Sequence, residues 1–532
     1  MRTKPMLWDL VILGSGFAGS LMAMIARSKG YRTLILEKHQ HPRIVIGEST
    51  TPLTNLLLDE ISREYKLECL QGLTRWSRWK QDHPELRVGL KRGFTFHAIP
   101  DKASAQHPGS WKKELLVAAS PNNDLADTHW WREDFDAYLL EQAVDAGADY
   151  WDHSEVTEWV EQPEHITMGV QRPTGASEIQ ASWVVDASGG ASAIASLCQI
   201  PLQPLEVTPP THSAYSHFTD LKCPPADQAT SPSNKPPYPS HQAAVHYLIP
   251  GGWIWMLHFD HGTTSAGVVF DQAAYPQLQG TSAEGMWQHA LNLVGPLGPV
   301  VAQANAIYPM RKRCPVGFRY NRIKGDRWIM LPSAAGFVDP LLSTGFPMTL
   351  LGIQRLAKSL PEVGALRQGE KPANWDQIAT LNQNELKMSD QLIGTLYACM
   401  GQFEMFAATT LIYFAAVSYA ETVRRLNQSH LAPGFLFSQD PERSGTLSQT
   451  LSAIRKMATS SLTLAERSHQ IRQWVAETIE PINVAGLDPW KPQAWFPATV
   501  EPLLDNAHKC QVSRQAMQAM LIKEGMLAPD AF

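Results

Sequence analysis

Apolar and polar positions follow two rhythms along this chain. The run WDLVIL (8–13), interrupted only by Asp9, stops at the glycine turn GSG, and FAGSLMAMIARS then repeats apolar residues at helical spacing. A second apolar run, TLIL (33–36), ends in Glu37. Short apolar runs bounded by glycine read as buried parallel strands, and the 3.6-residue period between them as a helix, so 8–37 is predicted to be a strand–helix–strand unit. WWREDFDAYLLEQAVDAGADYW (130–151) predicts an amphipathic helix headed by Arg132, and ASWVVDASGGAS (181–192) predicts a strand ending at Asp186, Ser188, Gly189 and Gly190. DRWIMLPSAAGFVDPLLSTGF (326–346) reads as strand, small-residue turn and helix. The alternation in GGWIWMLHFD (251–260) puts Trp253 and Trp255 on one face of a strand. Beyond about 360 the pattern turns helical, strongly apolar over 394–420 and exposed-looking over 465–480, while the Pro- and Ser-rich 222–242 reads as a surface loop.

Composition narrows the class. A chain of 532 residues, 44% hydrophobic and 18% charged, is too long for one core and ordinary for a multi-domain enzyme. A net charge of -6 leaves no basic footprint for nucleic acid, and MRKRC (310–314) is too short to make one. Six single, scattered cysteines form no metal-ligand spacing or disulfide framework; no metal is expected, and reduced thiols fit a cytoplasmic setting. The apolar stretch 405–420 is shorter than the roughly 20 residues that span a bilayer and reads as a buried helix, with membrane-surface contact as the lesser reading. No transmembrane span is expected, and the N-terminal apolar run leads into the glycine turn rather than a cleavage site.

The turn carries the strongest local chemistry. Gly14, Gly16 and Gly19 form GxGxxG: Gly14 permits the sharp turn, Gly16 lets a pyrophosphate approach the helix N-terminus, and Gly19 lets helix and strand pack. Phe17 and Ala18 lie in the same turn, and Glu37, followed by Lys38, sits where a carboxylate accepts from ribose hydroxyls. The later segments around Arg132, Asp186 and 333–345 return to one nucleotide site over more than 300 residues, which suits extended FAD better than NAD.

These segments resemble the FAD-containing aromatic hydroxylase superfamily and, within it, the flavin-dependent halogenases. The shared marks are GESTTP (47–52), Lys91 in LKRGFTF, the paired tryptophans of GGWIWM and AAGFVDPLLSTG (334–345). The resemblance implies an α/β fold with a Rossmann-like FAD-binding domain (1–205 and 325–360), a mixed β-sheet substrate domain (206–324) and a C-terminal helical region (361–532) covering the substrate. It implies that reduced FAD, supplied by a separate flavin reductase, oxidises chloride or bromide with O2, and that hypohalous acid travels through a tunnel to Lys91. Glu48 on the strap and the tunnel wall of Trp253 and Trp255 are the accompanying catalytic candidates. Gly47, Ser49, Thr50, Arg132, Asp186, Ser188, Gly189, Ser333, Asp339 and Gly345 are the expected further cofactor contacts, and Thr344 and Gly345 the halide site.

Each assignment has a plainer alternative. Lys91 beside Arg92 also reads as a surface basic turn, Ser343 or Thr344 as an N-cap, and GESTTP as a loop ended by Pro52. Three departures from the family pattern matter. Leu342 stands where tryptophan-specific members carry glutamate, which disfavours free tryptophan as substrate. Pro332 and Ser333 replace the usual Gly-Asp, and WIWMLH puts Leu257 and His258 where Ile and Pro are usual, so that His258 is either a proton-transfer group or a strand-end histidine. Three functions therefore stand open: halogenation of an aromatic or of a carrier- or protein-bound substrate, hydroxylation of an aromatic group by a halogenase-like monooxygenase, on a partner protein in one version, and a non-catalytic FAD scaffold.

Overall fold

The computed structural model describes residues 7–99, 113–190, 192–221, 235–294, 304–367, 370–492 and 494–529. Its first sheet runs in the order Asp149–Trp151, Thr33–Leu36, Leu7–Leu13, Gly175–Asp186, Ile166–Arg172, Glu155–Glu161. Leu7–Leu13 lies parallel to both Thr33–Leu36 and Gly175–Asp186, as a strand–helix–strand unit requires. Gly175–Asp186 does double duty. Its first half pairs antiparallel with Ile166–Arg172, and its last three residues pair parallel with Trp328–Met330, bringing the late segment back beside the first glycine turn. The helix Phe17–Ser28 buries Phe17 through Ala26 almost without break, which follows from its nearly all-apolar and small-residue sequence.

The second sheet carries Thr211–Thr219, Thr263–Asp271, Gly252–His258, Ala244–Ile249, Gly93–Ala98, Glu114–Ala118 and Ala494–Phe496 in that order, with Asn305–Ala306 and Arg311–Arg313 on its outer strand. Its two faces are built by alternation. Phe94, Phe96, His246, Trp253, Trp255 and Leu257 face one way, and Val245, Tyr247, Ile254 and Met256 face Met286 and Trp287 of the helix Ala283–Leu293.

Membership of this sheet crosses the expected domain boundaries. Gly93–Ala98 and Glu114–Ala118 come from within 1–205, and Ala494–Phe496 comes from the region expected to be helical, pairing parallel with Glu114–Ala118. Both early strands are buried along most of their length, as interior strands of a covered sheet are. The 222–242 loop divides: 222–234 lies outside the described residues, whereas Tyr238 is buried and donates to the carbonyls of Phe94 (2.6 Å) and Val117 (3.3 Å), so the end of the segment is stitched to the sheet rather than loose on the surface.

The C-terminal region is mainly helical: Trp375–Cys399, Phe403–Arg425, Pro441–Ala458, Leu464–Ile479 and Arg514–Lys523. Phe403–Arg425 is long and apolar enough to cross a membrane, but 67% of its apolar window is buried inside the protein, the behaviour of a core helix. Leu464–Ile479 opens on a capping box between Thr463 and Glu466.

Candidate active site

The glycine turn shapes the first wall. Gly14 has φ +98°, and a Cβ there would lie 2.7 Å from the Ser188 Cα; a Cβ on Gly19 would lie 1.9 Å from the Gly14 carbonyl oxygen. Gly16 is different: its nearest neighbours would be the Arg43, Asp136 and Arg132 side chains at 3.5 Å or more, and it heads Phe17–Ser28 with no side-chain cap. The helix N-terminus thus keeps its backbone donors open, as an anion site demands. Glu37 accepts from the Ser15 N–H (3.0 Å) and hydroxyl (2.9 Å) and from the His39 N–H (3.0 Å). Burial opposes its ionisation, but Arg43 at 3.5 Å and these donors outweigh it and hold the carboxyl below its ordinary range. Arg132, doubly hydrogen-bonded to Asp136 (2.7 and 2.8 Å), donates to the Gly47 carbonyl at 2.8 Å and so fixes the start of the GESTTP strap.

A cleft of about 1020 Å³ lies under this turn. Phe17, Gly47, Glu48, Ser49 and Arg132 form one side, Trp253, Trp255 and His246 another, and Ser333, Thr344 and Gly345 a third. The walls suit a flat aromatic ring with polar edges, and two hydroxyl oxygens, Ser49 Oγ and Thr344 Oγ1, are buried there without a protein partner. Thr344 precedes the helix Gly345–Ser359 but makes no side-chain cap, Ser343 adopts φ 54°, and Ser343, Thr344 and Gly345 line the cleft at this helix start. The open glycine turn, orphaned hydroxyls and aromatic walls fit FAD.

The tryptophan pair is buried side by side, ring centroids 5.8 Å apart. Trp253 Nε1 donates to the Tyr397 hydroxyl at 3.2 Å, which donates to Asp339 Oδ2 at 2.8 Å. His246 lies beside Trp253, and its Nδ1 donates to the Thr95 carbonyl at 3.1 Å; burial pushes its pKa down to about 3, so the ring is neutral. Glu48 Oε1 pairs with His217 Nε2 at 2.6 Å, both almost fully buried.

A second cleft, of about 1110 Å³, lies on the other side of the strap. Thr51, Pro52 and Leu53 form its near wall, and Phe94, Tyr413, Phe414, residues 496–500 and Leu503 most of the rest, with Glu421 and Arg425 as charged groups. Lys91 lines neither cleft but reaches the strap that runs between them. It is fully buried, its Nζ donates to the Thr50 carbonyl in the middle of the strap, and the ammonium lies 3.8 Å from the Phe94 ring centroid. Burial lowers its pKa to about 7 against the opposing charge of Asp127. Arg92 is buried as well, held by Asn123 and the carbonyls of Ser120 and Pro121, so the basic pair is not a surface turn.

Several of the residues expected to contact the cofactor do not line the first cleft. Lys38 extends to Glu155 (2.7 Å) with a side chain 60% exposed, because the strand has ended and solvent is nearer than the turn. Asp186 is consumed by its own loop, accepting from Ser188 N and Oγ, Ser192 Oγ and Ile194 N, beside Ser192, which caps the short helix Ala193–Leu197. Ser188 shares that network, while Gly189, at φ +74°, keeps its backbone clear of neighbours. Asp339 caps Leu341 N and receives Tyr397, burial pushes its pKa up to about 7, and it does not line the first cleft. The Thr50 side chain is bound to Thr128 across the strap, and Ala18 is packed in the helix. His258 ends its strand with Nδ1 2.9 Å from the Thr264 hydroxyl and is held neutral by burial, which lowers its pKa to about 4; Leu257, not His258, faces the first cleft.

Sequence reasoning missed His217, His246, Tyr397, Tyr413 and Asp127. His217 was within reach, since alternation in THSAYSHFT puts it on the face shared by Tyr215 and, across Gly267, Trp255. Tyr397 reaches Trp253 from 144 residues away and Tyr413 reaches Leu342 from 71, and no local pattern announces either.

Residues 9–326 match the FAD dependent oxidoreductase family. Among curated proteins, the chain is 28% identical to monodechloroaminopyrrolnitrin halogenase PrnC of Pseudomonas fluorescens over 75% of its own length and 70% of that protein. It is 26% identical to tetracycline 7-halogenase of Kitasatospora aureofaciens over 77% and 73%. Its fold superposes on halogenase PltM, solved in complex with phloroglucinol and FAD, with a TM-score of 0.78 at 21% identity, covering 88% of this chain and 96% of that one.

Proposed function

Because the chain belongs to the FAD dependent oxidoreductase family, we propose that it is a flavin-dependent halogenase, using reduced FAD and O2 to turn chloride or bromide into hypohalous acid that Lys91 directs at an aromatic or carrier-borne substrate. Halogenase relatives covering about three quarters of the chain support the reaction class. The single observation that carries the residue assignment is Lys91, buried against the strap whose residues 47–49 line one cleft and whose residues 51–52 line the other. Bound in the first cleft, FAD supplies the two-electron oxidation of halide, and a separate flavin reductase supplies it reduced.

The chain's own residues do the rest. Backbone N–H groups at Thr344 and Gly345 and the orphaned Thr344 hydroxyl hold the halide at a helix N-terminus. The Glu48–His217 pair braces the strap, so that the cofactor and substrate sides stay apart. Trp253 and Trp255 exclude the organic substrate from the first cleft. Lys91, with a pKa near neutrality, presents hydrogen-bond donors or a free amine to the oxidant at the only buried primary amine among the described residues of this wall. The apolar second cleft, with Tyr413 and Phe414 against Phe94, receives a compact aromatic ring.

The test supplies the purified protein with FAD, a flavin reductase, O2 and chloride or bromide, with phenols, indoles and pyrroles as acceptors, and reads products by mass. Halide-dependent product that disappears in Lys91→Ala while reduced FAD is still consumed is expected. An oxygen gain indifferent to halide would overturn the proposal in favour of a hydroxylase.

A further inference from the structure

Beside Lys91 is a buried carboxylate that the reaction described so far does not use. Asp127 and Lys91 are register partners in the antiparallel pair Val88–Lys91 and Asp127–Trp130, so their side chains leave the same face. Asn55, on the helix Pro52–Tyr65, joins the two halves: its Nδ2 donates to Asp127 Oδ1 at 2.7 Å and to Thr50 Oγ1 at 3.3 Å, and the Thr50 carbonyl accepts from Lys91. Asp127 Oδ2 is buried with no partner, and Lys91 Nζ is held by the Thr50 carbonyl rather than by the carboxylate. A carboxylate with one oxygen held and the other unused, opposite a buried amine, is costly in a purely structural role.

We infer that Asp127 is a positioning residue that stores the proton of Lys91, releasing the amine to capture halogen and returning the proton to drive halogen transfer; this rests on the halogenase reading above. With Lys91 as amine and Asp127 as acid, the nitrogen lone pair takes the halogen of hypohalous acid. The N–halogen bond forms, the O–halogen bond breaks, and one amine hydrogen leaves with the hydroxyl as water. Asp127 then protonates the haloamine nitrogen. The ring's electron pair forms the C–halogen bond as the N–halogen bond breaks, and the ring proton passes to the amine. The ammonium so formed gives one proton back to Asp127, which restores the starting pair. The acid therefore performs from the strand side a task that no carboxylate performs at Leu342, whose carbonyl is occupied by the Tyr413 hydroxyl at 2.8 Å.

The electrostatics agree. Burial raises the Asp127 carboxyl against the Lys91 charge and lowers the Lys91 amine against the Asp127 charge, so their proton affinities converge. The other groups facing the pair are His129 and His246, both held neutral by burial, the Tyr413 phenol, and Glu421 with Arg425, which neutralise each other at 2.9 Å. None of these offers an alternative store at neutral pH.

The test compares Asp127→Asn, which preserves an oxygen for the Asn55 bond, with Asp127→Glu. Side-chain nitrogen NMR of labelled lysine, assigned with Lys91→Met, follows the ammonium-to-amine midpoint in the protein without substrate. Removing the carboxylate is expected to move that midpoint down by at least about one pH unit, and to lower halogenated product per reduced FAD consumed at least about tenfold while oxidant escapes to a thioether trap. Asp127→Glu is expected to recover both. An unchanged midpoint, or a shifted midpoint with wild-type product yield, would overturn the inference. A wild-type protein that makes no halogenated product at all would defeat the halogenase reading instead, and the midpoint would still decide whether Asp127 controls Lys91.

Discussion

Gly267→Ala is a sharp test of how the first cleft is built. Gly267 lies opposite Trp255 on one neighbouring strand and Tyr215 on the other. A Cβ there would lie 2.3 Å from Trp255 Cη2, 2.5 Å from Cζ2 and 2.6 Å from the Tyr215 Cβ, where ordinary contact begins at 3.4 Å. The Tyr215 Cβ is tied to its backbone, so the indole must yield by about 1 Å, away from the sheet and toward the cleft it lines. Overpacking of this kind costs about 1–3 kcal/mol. Some of that appears as a lower Tm and some as weaker FAD binding, for which 1.4 kcal/mol corresponds to about tenfold in Kd. Calorimetric unfolding and flavin titration measure the two. Trp255→Phe removes the colliding ring edge, so in the double variant the cost of the alanine is expected to shrink by about 1 kcal/mol, read as a coupling energy. Wild-type Tm and FAD affinity in Gly267→Ala, or strictly additive effects with Trp255→Phe, would refute the reasoning.

Other consequences follow from single groups. Thr344→Val deletes a buried hydroxyl without a protein partner, so Tm is expected to hold or rise while the halide KM increases several-fold; a fall in Tm would show that the hydroxyl is satisfied within the protein. Glu48→Gln retains an oxygen acceptor for His217 but removes the charge, so the fold is expected to survive while turnover falls by at least about tenfold, which steady-state assays beside a thermal melt would check. His97, His246 and His258 have pKa values lowered by burial to about 4, 3 and 4. In the window from 6.5 down to about 4 the unfolded chain binds more protons than the folded one, so stability is fully present above 6.5 and is lost as pH falls, by about 1.4 kcal/mol per pH unit for each ring. Urea unfolding at pH 7 and pH 5 would measure this, and equal stabilities would contradict it.

The glycine turn, its flanking strands and the helix Phe17–Ser28 were legible because backbone geometry acts locally there: Gly14 turns at φ +98°, and a Cβ on Gly19 would lie 1.9 Å from the Gly14 carbonyl oxygen. The two tryptophans were legible as a face for the same reason, since strand alternation is a property of adjacent residues. The roles of acids and hydroxyls were less so. Asp186 and Asp339 have the residue type for cofactor contact, yet both satisfy nearby backbone donors, which is what a short carboxylate beside a turn does first.

By itself the sequence determined the nucleotide-binding unit, the apolar strands and the kinds of side chain available for chemistry, because these depend on periods of two to four residues. Only the tertiary structure decided what each charge experiences. Lys91 sits beside Arg92 in a stretch that reads as basic and exposed, but Asp127, Thr50 and Phe94 enclose it, and enclosure is what brings an amine near neutrality. Desolvation depends on what the whole chain packs around a group, and the strap that separates the two clefts becomes a wall only when strands and helices from 47 to 526 close on both of its sides.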